Sequence, residues 1–361
     1  MGSLLGSLVL AGSALCLTGC ANVGYYWQSA SGHIRMLQAA RPVQEWLADD
    51  KAPQRLKDQL ALSQRIRAFA SSDLHLPDNP SYRRYADLHR SAVIWNVVAA
   101  SVYSLKLKTS CFPVTGCVGY RGYFDERDAK AEAQRLVGEG YEAASYPVPA
   151  YSTLGWMNWA GGDPLLNTFI NYPEGELARM VFHELAHQVI YAKDDTMFNE
   201  SFATAVERLG VQRWLRTEAG TQAREDYARY DGRRNQFRAL TQATRKQLEA
   251  VYADLSLTDP ERERRKQDTL ERFRADYQVL RESWHLDPAR MRLTDQWVAQ
   301  ANNASFGALA AYDELVPGFE ALFASVGGDW QRFYAEARRL ADLPKADRQA
   351  FLKTKEKSTH A

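Results

Sequence analysis

Eleven residues near the middle of the chain constrain its fold more than any other segment. Val181-Phe-His-Glu-Leu-Ala-His-Gln-Val-Ile-Tyr191 is largely apolar, yet it carries two imidazoles and a carboxylate. Val181, Phe182, Leu185, Ala186, Val189 and Ile190 recur at helical spacing and predict a buried helix. On that helix His183 and His187 stand about one turn apart on the same face. Burying two imidazoles and an acid is costly unless a metal or hydrogen bonds compensate. Two imidazoles so placed can share one Zn²⁺. Glu184 is offset by a residue, so it stands beside such an ion, where it can accept a proton from water. The rival reading is a buried helix whose histidines are merely hydrogen-bonded.

A catalytic zinc site needs a third protein ligand and a fourth position open to water. A metzincin pattern would place Gly at 190 and His at 193; Ile190 and Lys193 stand there. The segment Phe198-Asn-Glu-Ser-Phe-Ala203 instead resembles the Asn-Glu-x-x-Ala pattern of gluzincins, which take a glutamate from a second helix. Glu200 is therefore the expected third ligand, on the first turn of that helix, with Lys193-Asp-Asp-Thr196 as the polar turn before it. The interval from His187 to Glu200 is shorter than in most gluzincins. Asp194, Asp195 and Glu207 are competing ligands.

The chain has 361 residues, 45 basic and 44 acidic. This balance argues against a polyelectrolyte grip on nucleic acid. The composition, 45% hydrophobic and 25% charged, is that of a globular protein with a real core. Leu4–Leu17 is apolar but too short to span a bilayer comfortably, and it fits the h-region of a secretory signal. Leu17-Thr-Gly-Cys20 resembles the bacterial lipobox. That resemblance implies a signal peptide over 1–19, lipid on Cys20, and a lipoprotein of the bacterial cell envelope facing the periplasm. Ala21 in the second position points to the outer membrane. The n-region departs from the pattern in having no Lys or Arg. In an oxidising compartment Cys111 and Cys117, flanking Pro113 and Gly116, read as a small disulfide loop; a free buried pair is the alternative.

Residues 20–217 are expected to hold N-terminal helices, a small sheet and the zinc-binding helices. Strands are expected over 93–100, 102–107, 118–123 and within 141–154, with a helix over 128–138. Residues 218–285 read as a polar antiparallel helical hairpin, its second helix started by a Thr258/Glu261 capping box. Its charged blocks suit a solvated face; a docking surface for a protein partner is the sharper alternative. Residues 286–361 read as helices packing on the catalytic core. The fold class expected is α+β, with a zincin-like core and a largely helical C-terminal part.

Several segments together resemble the bacterial putative aminopeptidase family of predicted zinc lipoproteins. They are Tyr25-Tyr-Trp-Gln28, Arg67-Ala-Phe-Ala70, Ser81-Tyr82, Trp95-Asn-Val97, Cys111–Cys117, Tyr120-Arg-Gly-Tyr-Phe124, Tyr151-Ser-Thr-Leu-Gly-Trp156 and the zinc segment 182–209. The resemblance implies a membrane-tethered zinc peptidase, in its best refinement an aminopeptidase that releases amino-terminal residues, with one Zn²⁺ on His183, His187 and Glu200, Glu184 as general base, and a peptide or protein substrate. An endopeptidase is the alternative reading, and a lipoprotein scaffold with a structural zinc is the reading from another class. Tyr151, Ser152, Thr153 and Gly155 are expected to bind substrate along a sheet edge. For the oxyanion donor the candidates are Tyr227, Tyr230, His285 and Tyr312, with Tyr312 preferred for the polar Asn302-Asn303 patch before it. Asp163, Glu142 and Glu174 are candidates for holding a substrate's α-amine.

Overall fold

A computed structural model describes residues 23–112 and 116–359, and of residues 311–313 and 356–359 the backbone alone. The expected signal over 1–19 and Cys20 lie outside the described residues. Among them, no helix is long and apolar enough to cross a membrane.

The chain is α+β and mostly helical. Helix α1 (23–39) is followed by β1 (Arg41–Pro42), α2 (Val43–Ala48) and α3 (Gln54–Ser72). Strands β2 (Arg84–Ala86), β3 (Ile94–Ser101), β4 (Ser110–Phe112), β5 (Gly116–Val118) and β6 (Arg121–Tyr123) come next. Helix α4 (Glu126–Gly138), β7 (Tyr141–Val148) and β8 (Leu165–Leu166) lead to α5 (Glu174–Ala186) and α6 (Thr196–Thr217). The rest is helical: α7 (Thr221–Ala253), α8 (Asp259–Ser283), α9 (Pro288–Gln300), α10 (Asn303–Asp313), α11 (Val316–Ser325), α12 (Trp330–Ala341) and α13 (Lys345–Thr359).

β3 is the centre of the main sheet. It pairs antiparallel with β7 from Ile94↔Val148 to Ser101↔Tyr141, and with β6 from Trp95↔Tyr123 to Val97↔Arg121. It is buried from Ile94 to Ala100, Asn96 included, because both faces are covered. Trp95, Val97 and Ala99 pack toward Ala129 and Leu136 of α4, while Val98 and Ala100 pack toward Ala304 of α10. α1 is clipped to this sheet by Gln28, which donates to Gly122 O (3.2 Å) and accepts from Phe124 N (3.0 Å). A second sheet, β1-β2-β8, belongs to the main core, where Phe69, Phe182, Phe198, Phe202, Trp214, Phe319 and Phe333 fill the space between helices.

The strand expected over 102–107 does not form. Ser104 N bonds to Ser101 O (3.1 Å), turning the chain out of the sheet, and only an Ala100↔Leu107 bridge remains. Ala100 also pairs with Glu142 of β7, so this bridge lies on the other edge of β3, the one that β6 occupies. Of the one or two strands expected within 141–154, β7 forms and ends at Val148, and the strand expected over 118–123 divides into the last residue of β5 and the whole of β6. The Thr258 capping box is formed, with Thr258 N donating to Glu261 Oε2 (2.9 Å). α7 and α8 pack antiparallel and share an apolar cluster of Leu248, Leu270, Phe273 and Tyr277 with Met291, Val298 and Phe306. Buried Lys266 of α8 pairs with Glu142 of β7, so the hairpin lies against the body.

Candidate metal centre

α5 carries His183 in its last turn, and His187 is its C-cap in helical conformation (φ −59°, ψ −20°). A short turn then reverses the chain. Asp195 caps α6 by accepting from Phe198 N, and the Asn199 amide bridges back to both Ala192 N (2.7 Å) and Ala192 O (2.8 Å). These bonds set the register of α6, and Glu200, just past its first turn, meets the two histidines. His183 Nε2 lies 3.1 Å from His187 Nε2 and 3.4 Å from Glu200 Oε2; His187 Nε2 lies 3.5 Å from the same oxygen.

This triangle fits zinc. Tetrahedral bonds of about 2.0–2.1 Å separate ligand atoms by roughly 3.3 Å, and one point stands at bonding distance from all three atoms. The electrostatics agree. Burial works against a charged His183, but the carboxylates of Glu200 and Glu207 outweigh it and draw a proton onto the ring. Burial works against an ionised Glu200 too, and His187 and His183 overcome it, keeping that carboxyl well below its usual range. The pocket thus demands positive charge, which a divalent cation supplies.

Glu207, weighed as a competing ligand, sits behind the site. One oxygen is 3.1 Å from His183 Nδ1, the ring atom facing away from the triangle. It also pairs with Arg179, which pairs with Glu176 (3.3 Å), which pairs with Arg234 of α7. A carboxylate behind a ligating imidazole fixes its tautomer and orientation. Burial would raise the Glu207 carboxyl, but Arg179 and His183 hold it down at about 2. Glu207 is seven residues after Glu200, two turns on the same helical face, and that spacing was the available signal. Asp194 and Asp195 also point elsewhere. Asp194 accepts from Cys117 N (2.6 Å), and Asp195 accepts from Gln349 (2.9 Å) besides capping α6.

The triad and Glu184 line a cleft of about 490 Å³ between α5, α6 and the sheet. Burial raises the Glu184 carboxyl while His183 and His187 oppose it. Tyr151, Ser152 and Leu154 line the cleft. Thr153 does not; its N–H and hydroxyl donate to buried Asp163. Gly155 lies against Asn158 and Gln188, and its φ of 78°, with a Cβ meeting Asn158 Nδ2 at 3.1 Å, explains the glycine. The segment is a turn past the end of β7, not a paired strand.

The chain matches the family model described as "Putative aminopeptidase" over residues 24–352. It belongs to the putative aminopeptidase family. No curated protein matches the chain. No solved structure matches it either. The family description supports a peptidase-like function, and the cluster of His183, His187 and Glu200 is a group that could hold a metal.

Two tyrosines that sequence reasoning missed line the cleft of this family member, Tyr120 and Tyr191. Burial, then the charges of Glu200 and Glu184 among others, push the Tyr120 hydroxyl well above its ordinary value. Burial with Glu200 and Asp194 pushes Tyr191 up to about 12. Both remain O–H donors at neutral pH. The side chain of Tyr312 lies outside the described residues. The polar patch that suggested it has a structural use: Asn302 caps α10, and Asn303 donates to Ser101 O (3.1 Å) and Val102 O (2.6 Å). Tyr227 covers Gly175 of α5, and Tyr230 is exposed. His285 follows α8 with φ 47°. Of the amine-binding candidates, Asp163 is bound to Thr153, Glu142 to Lys266 and Asn303, and Glu174 to Trp214 Nε1 (3.0 Å). Cys111 and Cys117 face each other across β4 and β5 with their sulfurs bonded.

Proposed function

We propose that this protein is a zinc-dependent peptidase in which His183, His187 and Glu200 hold one ion. The observation that carries the reading is the convergence of three ligand atoms, all within 4.8 Å of one another, beside Glu184 in one cleft. A bound zinc would acidify water and polarise a carbonyl group. Glu184 is the base that takes the water's proton and returns it to the leaving amine. Tyr120, beside both Glu184 and Glu200, donates its O–H to the carbonyl oxygen as charge develops there. Glu207 and Arg179 hold the His183 ring in place.

Release of amino-terminal residues follows the family description. Endo-cleavage is the second reading, favoured by room on both sides of the metal group. One adjoining cavity shares His183 and Glu184 with the cleft, and another shares Tyr120 and Thr196. Lipid on Cys20 would tether the enzyme to the envelope, facing the periplasm, at the outer membrane, with the α7–α8 hairpin open to a protein partner. Glu184→Gln decides between enzyme and scaffold: zinc content stays at one per chain while peptide cleavage falls about 10²–10⁴-fold. Unchanged cleavage in that variant would favour the scaffold. Free and N-acetylated peptides, assayed side by side with and without chelator, separate exo- from endo-cleavage.

A further inference from the structure

Tyr120 has a second neighbourhood that the mechanism leaves unused. On its far side lies a cavity of about 650 Å³, bounded by the sheet, the 103–109 loop, the C-terminal part of α7 and α10. Tyr120 and Thr196 belong to the walls of both this cavity and the metal cleft, so the two spaces adjoin at these residues. The volume is within the roughly 300–1,000 Å³ range of cavities that bind ligands.

The wall chemistry selects an uncharged guest. Tyr103, Tyr120, Tyr146, Tyr252, Leu107 and Met197 supply apolar and aromatic surface. The charged wall residues are largely committed to one another. Arg245 pairs with Glu249 (2.9 Å) and Glu314 (3.5 Å), Lys345 donates to Asp194 O (2.9 Å), and the Asp194 carboxylate holds Cys117 N. Lys106 is exposed, at the solvent side. The Tyr252 hydroxyl is bound to Asn303 (2.6 Å).

Resting on the peptidase reading, we infer that this cavity is the specificity subsite, and that it takes a short apolar stretch of the substrate on the side of the scissile bond lying past Tyr120. A chain bearing charges there would give up their hydration without finding free partners. A well-fitted apolar pocket discriminates by 10-fold or more between large and small side chains.

The test uses quenched peptides differing only in three residues on one side of the cleavage point, Phe-Leu-Phe against Ser-Gly-Ser, with both sides sampled. The wild type should favour the apolar set at least tenfold in kcat/KM on one side. Ala310→Trp on α10 and Ala253→Trp at the exposed end of α7 intrude from two directions and should each cut that ratio at least fivefold. Zinc content and circular dichroism are read for both; Ala253 is exposed, so its variant is not exposed to a packing failure. No preference in the wild type, or a ratio moved by neither variant, overturns the inference. Should the wild type cleave no peptide at all, the peptidase reading fails and the cavity is still tested. Binding of N-acetyl-Phe-Leu-Phe-amide, followed by calorimetry, must then weaken at least fivefold in Ala253→Trp. Equal binding, or none to the wild type, overturns the subsite.

Discussion

At the scale of single residues, the convergence of the candidate metal group was legible because its order is local. A helix of known period brings residues four apart together, so His183 and His187 followed from spacing alone. Glu200 followed from a short motif. Tyr120 and Asp163 were not legible in their roles, because each reaches its site through a fold-wide contact that no periodicity encodes. Tyr120→Phe removes the proposed donor without touching a ligand; kcat should fall about 10²–10³-fold with zinc content unchanged. Asp163 offers a pH test. Burial raises its carboxyl to about 6, against the Thr153 hydrogen bonds that lower it. A carboxyl raised on folding contributes stability that is fully present below its unfolded value of 3.8 and is lost as pH rises through about 6. Asp163→Asn should flatten stability against pH across that window. It should also cost about 1–3 kcal/mol overall by unsettling the acceptor for Thr153. Chemical denaturation from pH 4 to 7 checks both.

At the scale of elements, sequence reasoning placed most helices and misplaced strand 102–107. Helices declare themselves by caps and period, as the Thr258–Glu261 box does. The departure at 102–107 comes from the Ser101–Ser104 turn, which directs the chain away from β3 and which no residue period encodes. The disulfide of the β4–β5 hairpin, and the bond from Cys117 N to Asp194, tie the strand leading to Tyr120 to the turn between α5 and α6. Replacing both Cys111 and Cys117 by serine should lower stability by about 2 kcal/mol, read from the shift in a urea midpoint. Behind the metal, Glu207→Gln should weaken zinc binding about 10–100-fold, measured by competition with a chromogenic chelator.

At the scale of the molecule, the α+β class and the helical C-terminal part were legible from composition and pattern. What the pattern concealed is how the hairpin serves the body. Its charged blocks suggested a solvated face, yet its inner face completes a second core with α9 and α10. Arg234 of α7 reaches Glu176 and so extends the ion-pair chain ending at His183. Deleting residues 221–283 should therefore not yield a smaller active enzyme. The expected product exposes Met291, Val298 and Phe306, and aggregates on size-exclusion chromatography. A monomeric, zinc-loaded product would show that the two cores are independent.

The most direct test of the account is metal stoichiometry by elemental analysis of the purified protein and of its Glu200→Ala variant, both equilibrated with a slight excess of zinc and desalted. The wild type should retain one zinc per chain, and Glu200→Ala well under half of that with its fold intact by circular dichroism. No retained metal in the wild type, or equal retention in both, would contradict the assignment of His183, His187 and Glu200 as one metal centre.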